Sequence, residues 1–145
     1  MADVTTFPTP TARVCKYGCN RLTFKAAETI KAGMVVALNN DGNLVAGDHD
    51  DGYCVIGVAD TNIASGYVGT VNTVGTICYV ANEDDTTAIG EGVTLAVADA
   101  NVGGTVRALV GGADLDEYVI GLSLTDIAGG GFGLCLVMPC ISATA

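Results

Sequence analysis

The stretch VIGVADTNIASGYVG, Val55–Gly69, returns sixty-four residues later as VIGLSLTDIAGGGFG, Val119–Gly133. Between Ile56–Val71 and Ile120–Cys135 seven of sixteen positions are identical, among them Ile63 with Ile127 and Gly66 with Gly130. Upstream, IKAGMVVAL (Ile30–Leu38) echoes IGEGVTLAV (Ile89–Val97): in each, Ile is followed three places later by Gly and then by an apolar run. Each half therefore reads as Ile-x-x-Gly, strand, turn, strand, acidic loop, strand, a T-[ND]-I-A turn, glycine and closing strand. Two such units bury apolar faces against each other that neither buries alone. The glycines mark places where the backbone turns or passes close to another segment.

The local patterns around the repeat are those of strands. Alternating and β-branched runs are punctuated by Gly, Asn and Asp. Candidate strands are 21–26, 33–38, 43–46, 53–59, 67–71, 76–81, 93–98, 105–110, 118–124 and 132–138. In Val93–Val97 the residues Val93, Leu95 and Val97 face one way and Thr94 and Ala96 the other. The Asp41-Gly42 step suits a tight hairpin. No sustained helical period is present; the turns after the repeated phrases are the best short-helix candidates. The expectation is an all-β chain, a compact barrel-like or sandwich domain of about ten short strands in two similar halves. Residues 1–26 read as a basic N-terminal arm and 27–145 as one β domain, with half-repeats at about 27–81 and 86–140.

Charge is divided unevenly. The net charge is −10, yet Arg13, Lys16, Arg21, Lys25 and Lys31 sit in the first 31 residues against Asp3 and Glu28. The remainder has a single base, Arg107, against 14 acids. A body this acidic repels nucleic acid, and the scattered bases lack the clustering of a nucleic-acid patch. One reading is an ordinary strand with solvated Lys and Arg. The sharper one makes Arg13, Lys16, Arg21 and Lys25 a docking arm for an acidic neighbour. Uncharged runs at 61–82 and 127–145 are broken by Gly, Asn, Thr and Pro139, so no membrane helix is expected. The start lacks a basic n-region and an apolar core, so no secretory signal is expected.

Chemistry is sparse. His49, the one histidine, lies in GDHDDG, and the twelve-residue calcium loop that would start there has Ala59 where a bidentate Glu belongs. Those acids, and Glu83–Asp85, read as solvated loop carboxylates. No G-x-S-x-G elbow is present, and GGGFG (Gly129–Gly133) lacks the Gly-Lys-Ser/Thr ending of a phosphate loop. It reads as a close-packed turn into the last strand. Cys54, Cys78 and Cys135 lie in strand-like runs, where free Cys acts as a small hydrophobe. Cys15 and Cys19, spaced C-x3-C, leave three readings open: a disulfide or inter-subunit pair, buried thiols, or with Cys135 and Cys140 a four-thiolate zinc site. No catalytic constellation, cofactor or metal is expected, and the chain is not read as an enzyme.

The order I-x-x-G-x-x-V/L, G-x-L/V, then Y-V-I-G-V/L before a glycine-marked final strand resembles the capsid cement, or head decoration, proteins of tailed bacterial viruses. The likeness is greatest from Ala88 to Pro139 and extends through the internal echo back to Ala27. It implies a structural virion protein, assembled in the host cytoplasm, that binds the outside of the expanded head as a homotrimer. It also implies the major capsid protein as partner, whose subunit contacts the chain would stabilise, with no nucleic acid and no membrane bound. The alternatives are a tail or fibre module of the virion, or a small β-clip ligand-binding module, whose opening ETIKAGMVVAL also resembles.

Overall fold

The computed structural model describes residues 3–48, 53–98, 102–109 and 117–142. Among these there is no helix, so the short-helix candidates after the repeated phrases are not helical, and no helix is long and apolar enough to cross a membrane. Eleven strands are present: β1 (Cys15–Tyr17), β2 (Arg21–Lys25), β3 (Val35–Leu38), β4 (Leu44–Ala46), β5 (Val55–Ala59), β6 (Val68–Asn72), β7 (Ile77–Ala81), β8 (Thr94–Val97), β9 (Val106–Ala108), β10 (Glu117–Ser123) and β11 (Phe132–Ser142). Ten match the expected runs, and β1 is the addition.

The strands form two antiparallel sheets, ordered β1-β7-β11-β10-β8-β9 and β2-β6-β5-β3-β4. The likeness between the halves is wider than the repeated phrases. β6-β5-β3-β4 in one sheet has the same order as β11-β10-β8-β9 in the other, and β2 lies outside β6 as β7 lies outside β11. The registers correspond, with Lys25 opposite Val68 and Ala81 opposite Phe132. In each half one parallel bridge turns the chain back on itself: Ala26, just past β2, pairs with Leu44 of β4, and Asn82, just past β7, pairs with Val106 of β9. One bridge does not close a barrel, and the arrangement is sandwich-like.

The repeated residues recur because each does the same physical work twice. Ile30 and Ile63 exchange backbone hydrogen bonds of 2.8 Å, and Ile89 and Ile127 do so at 2.9 and 2.8 Å. Ile63 lies over Gly69 and Ile127 over Gly133, where an added Cβ would fall 2.6 Å from Ile127 Cγ1. Gly57 and Gly121 face the carbonyls of Asn72 and Leu136 on the closing strands, at a spacing that leaves no room for a Cβ. Gly66 and Gly130 adopt φ of 86° and 66°, which a glycine adopts at little cost. The expected close-packed turn at Gly129–Gly133 is what the chain forms.

Two apolar clusters hold the sheets. The larger takes Val35, Ala37 and Val58 from one sheet and Cys78, Val80, Leu95, Val97, Ile120, Cys135 and Val137 from the other. The smaller collects Ala26, Ile30, Val36, Leu44, Ala59, Ile63 and Val71, and is completed by Phe7 from the N-terminal segment. β3 thus alternates Val35 and Val36 between two buried faces, which explains its unbroken apolar run. At about 25 cal/mol per Å² of apolar surface removed from water, each fully buried Val, Leu or Ile contributes about 1.5–3 kcal/mol before entropy is counted.

Within Glu83–Asp85, Asp84 departs from the solvated reading, while Asp85 is exposed. Asp84 is buried at 7% exposure, and its Oδ1 accepts from Thr86 N at 2.8 Å, Thr87 N at 2.9 Å and Thr86 Oγ1 at 3.2 Å. Those donors, the backbone N–H of Thr86 first, hold the carboxyl below its ordinary value. Asn82 sits beneath it, donating to Thr87 O at 2.8 Å and Ile127 O at 3.1 Å and accepting from Asp84 N at 2.9 Å. The loop of the second half is pinned by polar groups, whereas Ala26 occupies the corresponding place in the first.

Candidate docking surface

The N-terminal segment is folded onto the domain. Val4 donates to Glu83 O at 2.7 Å, Phe7 packs edge-on against Phe132 with ring centroids 6.0 Å apart, and Val14 O accepts from Tyr79 N at 3.0 Å. Chain direction then follows β1 along the outer edge of β7, turns at Gly18, and enters β2 on the edge of the other sheet. The turn is closed by a disulfide between Cys15 and Cys19, whose Cα atoms are 6.0 Å apart. Thr76 Oγ1, fully buried, accepts from Asn20 N at 3.0 Å and ties the turn to the β6–β7 loop.

The four basic residues singled out from sequence lie along this course in different settings. Arg13 and Lys16 are exposed beside and on β1, with the Lys16 ammonium 5.7 Å from the centroid of the Tyr17 ring. Arg21 is engaged: Nη2 lies 3.6 Å from Asp60 Oδ2, and Nε donates to Asn72 Oδ1 at 3.4 Å. Asn72 Nδ2 donates in turn to Asp60 Oδ1 at 3.1 Å. Lys25 is exposed at the end of β2, with no acidic partner among the described residues. Arg13 and Lys16 thus belong to one sheet edge, and Arg21 and Lys25 to the other.

Sequence reasoning missed the apolar component. Tyr17, Leu22, Tyr67, Val68, Val74 and Met138 are exposed, Tyr67 and Val68 by 69% and 67%. Tyr17, Leu22 and Val74 adjoin the disulfide turn, while Tyr67 and Val68 lie beside Lys25. Their signal was available in the repeat. Val68 aligns with Phe132, and only the second of these has an aromatic partner from the N-terminal segment.

The grooves offer little for catalysis. Two, of about 310 and 340 Å³, run on either side of Pro8–Pro10 and are lined by Thr, Ala, Gly, Pro and Ile with Asn62, Lys31, Tyr79 and Phe132. A third, of about 360 Å³, lies by Asn82, Asp84 and Ile89. Among the described residues no three His, Cys, Asp or Glu side chains are grouped to hold a metal. Cys15 is taken by the disulfide, so the four-thiolate zinc arrangement does not form in this structure. Cys78 and Cys135 are buried opposite one another, as small hydrophobes, whereas Cys54 is exposed and does not follow that expectation. Burial drives both thiols up, that of Cys135 to about 12. His49, Asp50 and Asp51 fall outside the described residues.

A family comparison decides what this surface belongs to. Residues 17–136 match the phage cement protein model. The chain belongs to the phage cement protein family. Among solved structures, this cement protein is similar to the head fiber gp8.5 N base in bacteriophage phi29, with 17% identity and a TM-score of 0.53. The superposition covers 82% of the cement chain and 93% of the other, and at that identity it speaks to fold alone. No curated protein matches. Membership makes the protein a structural, capsid-associated component of the virion, in keeping with a non-catalytic role.

Proposed function

We propose that the protein binds the outside of the expanded phage head as a homotrimer and clamps neighbouring major capsid subunits together. The rim carrying Arg13, Lys16 and Lys25 is turned toward the shell. The family match over residues 17–136 carries this reading. The uneven charge supports it: five of the six basic side chains lie in the first 31 residues while the rest of the chain is acidic, an arrangement that orients a molecule on an acidic surface. Stable protein interfaces bury about 1,200–2,000 Å² in total, and repetition over a lattice converts modest single-site affinity into avidity. The protein is expected in near-stoichiometric amounts with the major capsid protein.

The test is quantitative mass spectrometry of purified particles, together with binding of the pure protein to expanded and unexpanded heads. A ratio near one, with binding confined to expanded heads, is the expected result. Absence from particles overturns the reading. A few copies per particle favours a second reading suggested by the fold of the head fibre base, in which the chain seats a fibre at special positions.

A further inference from the structure

The two halves present the same edge to their surroundings, and only one of these edges is covered. In the second half, even-numbered residues of β7 bond to β11, since Thr76 O accepts from Val137 N and Asn82 N donates to Gly131 O. The odd-numbered backbone groups point outward, and there Tyr79 N donates to Val14 O at 3.0 Å as β1 lies alongside. In the first half, Asn20 O accepts from Thr73 N and Ala26 N donates to Tyr67 O, so Arg21, Thr23 and Lys25 turn to the outer side, where Lys25 adjoins the Ala26–Leu44 bridge to β4 and Arg21 and Thr23 meet no strand among the described residues. Thr23 is the counterpart of Tyr79. Among the described residues nothing pairs with it, because β2 ends its sheet.

The side chains at this open edge specify what fits it. Arg21, Thr23 and Lys25 share one face with Val68, which is directly opposite Lys25. Leu22 and Phe24 share the other, and Leu22 is 53% exposed. β2 holds two cations and no acid. A second copy of β2 is a poor occupant: antiparallel pairing centred on Thr23 sets Arg21 against the partner's Lys25 equivalent, and like charges directly opposite repel. The chain's own N-terminal segment is already used on β7 and on Phe132.

We infer that the outer edge of β2 accepts an extended strand from a capsid-shell protein, one that alternates apolar residues over Leu22 with acidic residues over Lys25. Main-chain pairing supplies affinity and the alternating side chains supply selectivity, as in strand addition to other sheet edges. The Arg and Lys on this edge discourage indiscriminate pairing and leave it open to a strand of opposite charge. The source of the strand rests on the capsid-binding function proposed above; the chemistry of the edge does not.

Two measurements keep these apart. The first titrates the ¹⁵N-labelled protein with a short end-capped peptide alternating glutamate and valine, against one alternating lysine and valine. Shift changes and slowed hydrogen exchange are expected at the amides of Arg21 and Thr23 with the acidic peptide, and none with the basic one. No response at those amides, or an equal response to both peptides, overturns the inference whatever the protein does on heads. The same changes appearing with protein concentration alone assign the edge to a second copy and also overturn it. The second measures binding of Thr23→Pro and Lys25→Glu to expanded heads. Lys25→Glu, at an exposed site, is expected to keep its melting temperature and weaken binding about tenfold. Thr23→Pro removes an outward N–H and is read only if its melting temperature is preserved. Wild-type binding to heads matched by Lys25→Glu overturns the inference. A wild-type protein that seats the acidic peptide but ignores heads supports the edge and refutes the capsid reading instead.

Discussion

Adding one methyl group to Gly121, or to its counterpart Gly57, strikes at what the two halves share. At Gly121 the new Cβ runs into Leu136 O and comes within 2.9 Å of Leu136 C and 3.1 Å of Cys135 Sγ. At Gly57 it runs into Asn72 O, with Asn72 C and Val71 Cγ1 both at 3.0 Å. The obstruction is backbone on a paired strand, so no rotamer change relieves it; the strands must part. Overpacking costs about 1–3 kcal/mol, and loosening one or two ladder hydrogen bonds adds about 1 kcal/mol each. The expected loss is therefore about 2–5 kcal/mol for either substitution, a large share of the 5–15 kcal/mol typical of a domain. At about 2–4 °C per kcal/mol for a chain of this size, the melting temperature falls by roughly 4–20 °C. Urea denaturation followed by far-UV circular dichroism measures the first quantity and calorimetry the second. Gly90→Ala is the control: its Cβ meets nothing within 4 Å and its stability is expected within about 0.5 kcal/mol of wild type. If Gly121→Ala behaves like Gly90→Ala, the close strand approach is wrong. If Gly57→Ala and Gly121→Ala differ severalfold, the two glycines are not equivalent.

Asn82→Ala leaves the Thr87 and Ile127 carbonyls without their side-chain donor and is expected to cost about 2–3 kcal/mol in urea unfolding. Asp84, whose folded carboxyl lies below its ordinary value, stabilises the protein fully above the carboxylate range and loses that contribution as pH falls through it; Asp84→Asn should flatten the acid limb of the melting-temperature profile. Native iodoacetamide treatment should label Cys54 and Cys140, which are exposed, and spare Cys78 and Cys135, with all four modified in denaturant after intact-mass analysis. Reducing the Cys15–Cys19 bridge, which closes a very short loop, should cost about 2 kcal/mol on the chain-entropy account, measured by melting with and without reductant.

The readability of this sequence followed the environment of each strand. β3, β5, β8 and β10 sit inside their sheets, and their β-branched runs and glycines were plain. The correspondence of β2 with β7 was hidden because RLTFK lies at an open edge, while ICYVA lies between β1 and β11. One position in the fold thus imposed opposite polarity in its two copies. β1 has three residues, too few to show a period, and Cys15 is buried by pairing with Cys78 far along the chain. The disulfide depended on a turn that brings two Cα atoms to 6.0 Å, which C-x3-C spacing alone does not establish. Arg21 read as a free cation because Asp60, its partner, belongs to another strand's end. The acids of Glu83–Asp85 read as solvated because the donors to Asp84 are backbone groups, which carry no sequence signature.

Duplication alone would give this fold two equivalent edges, and that is a hazard. Two open strand edges on one molecule invite head-to-tail pairing, which does not close and grows into filaments. The N-terminal segment removes the symmetry. Its strand β1 covers the edge of β7 and its Phe7 covers Phe132, while the counterparts β2 and Val68 stay bare. The remaining edge carries Arg21 and Lys25, which oppose pairing with another copy of itself. One covered edge and one bare, basic edge make the two halves unequal: of the equivalent edges of β7 and β2 only that of β2 stays open, so the molecule does not chain through both. For a capsid-associated protein that asymmetry removes one route to filaments.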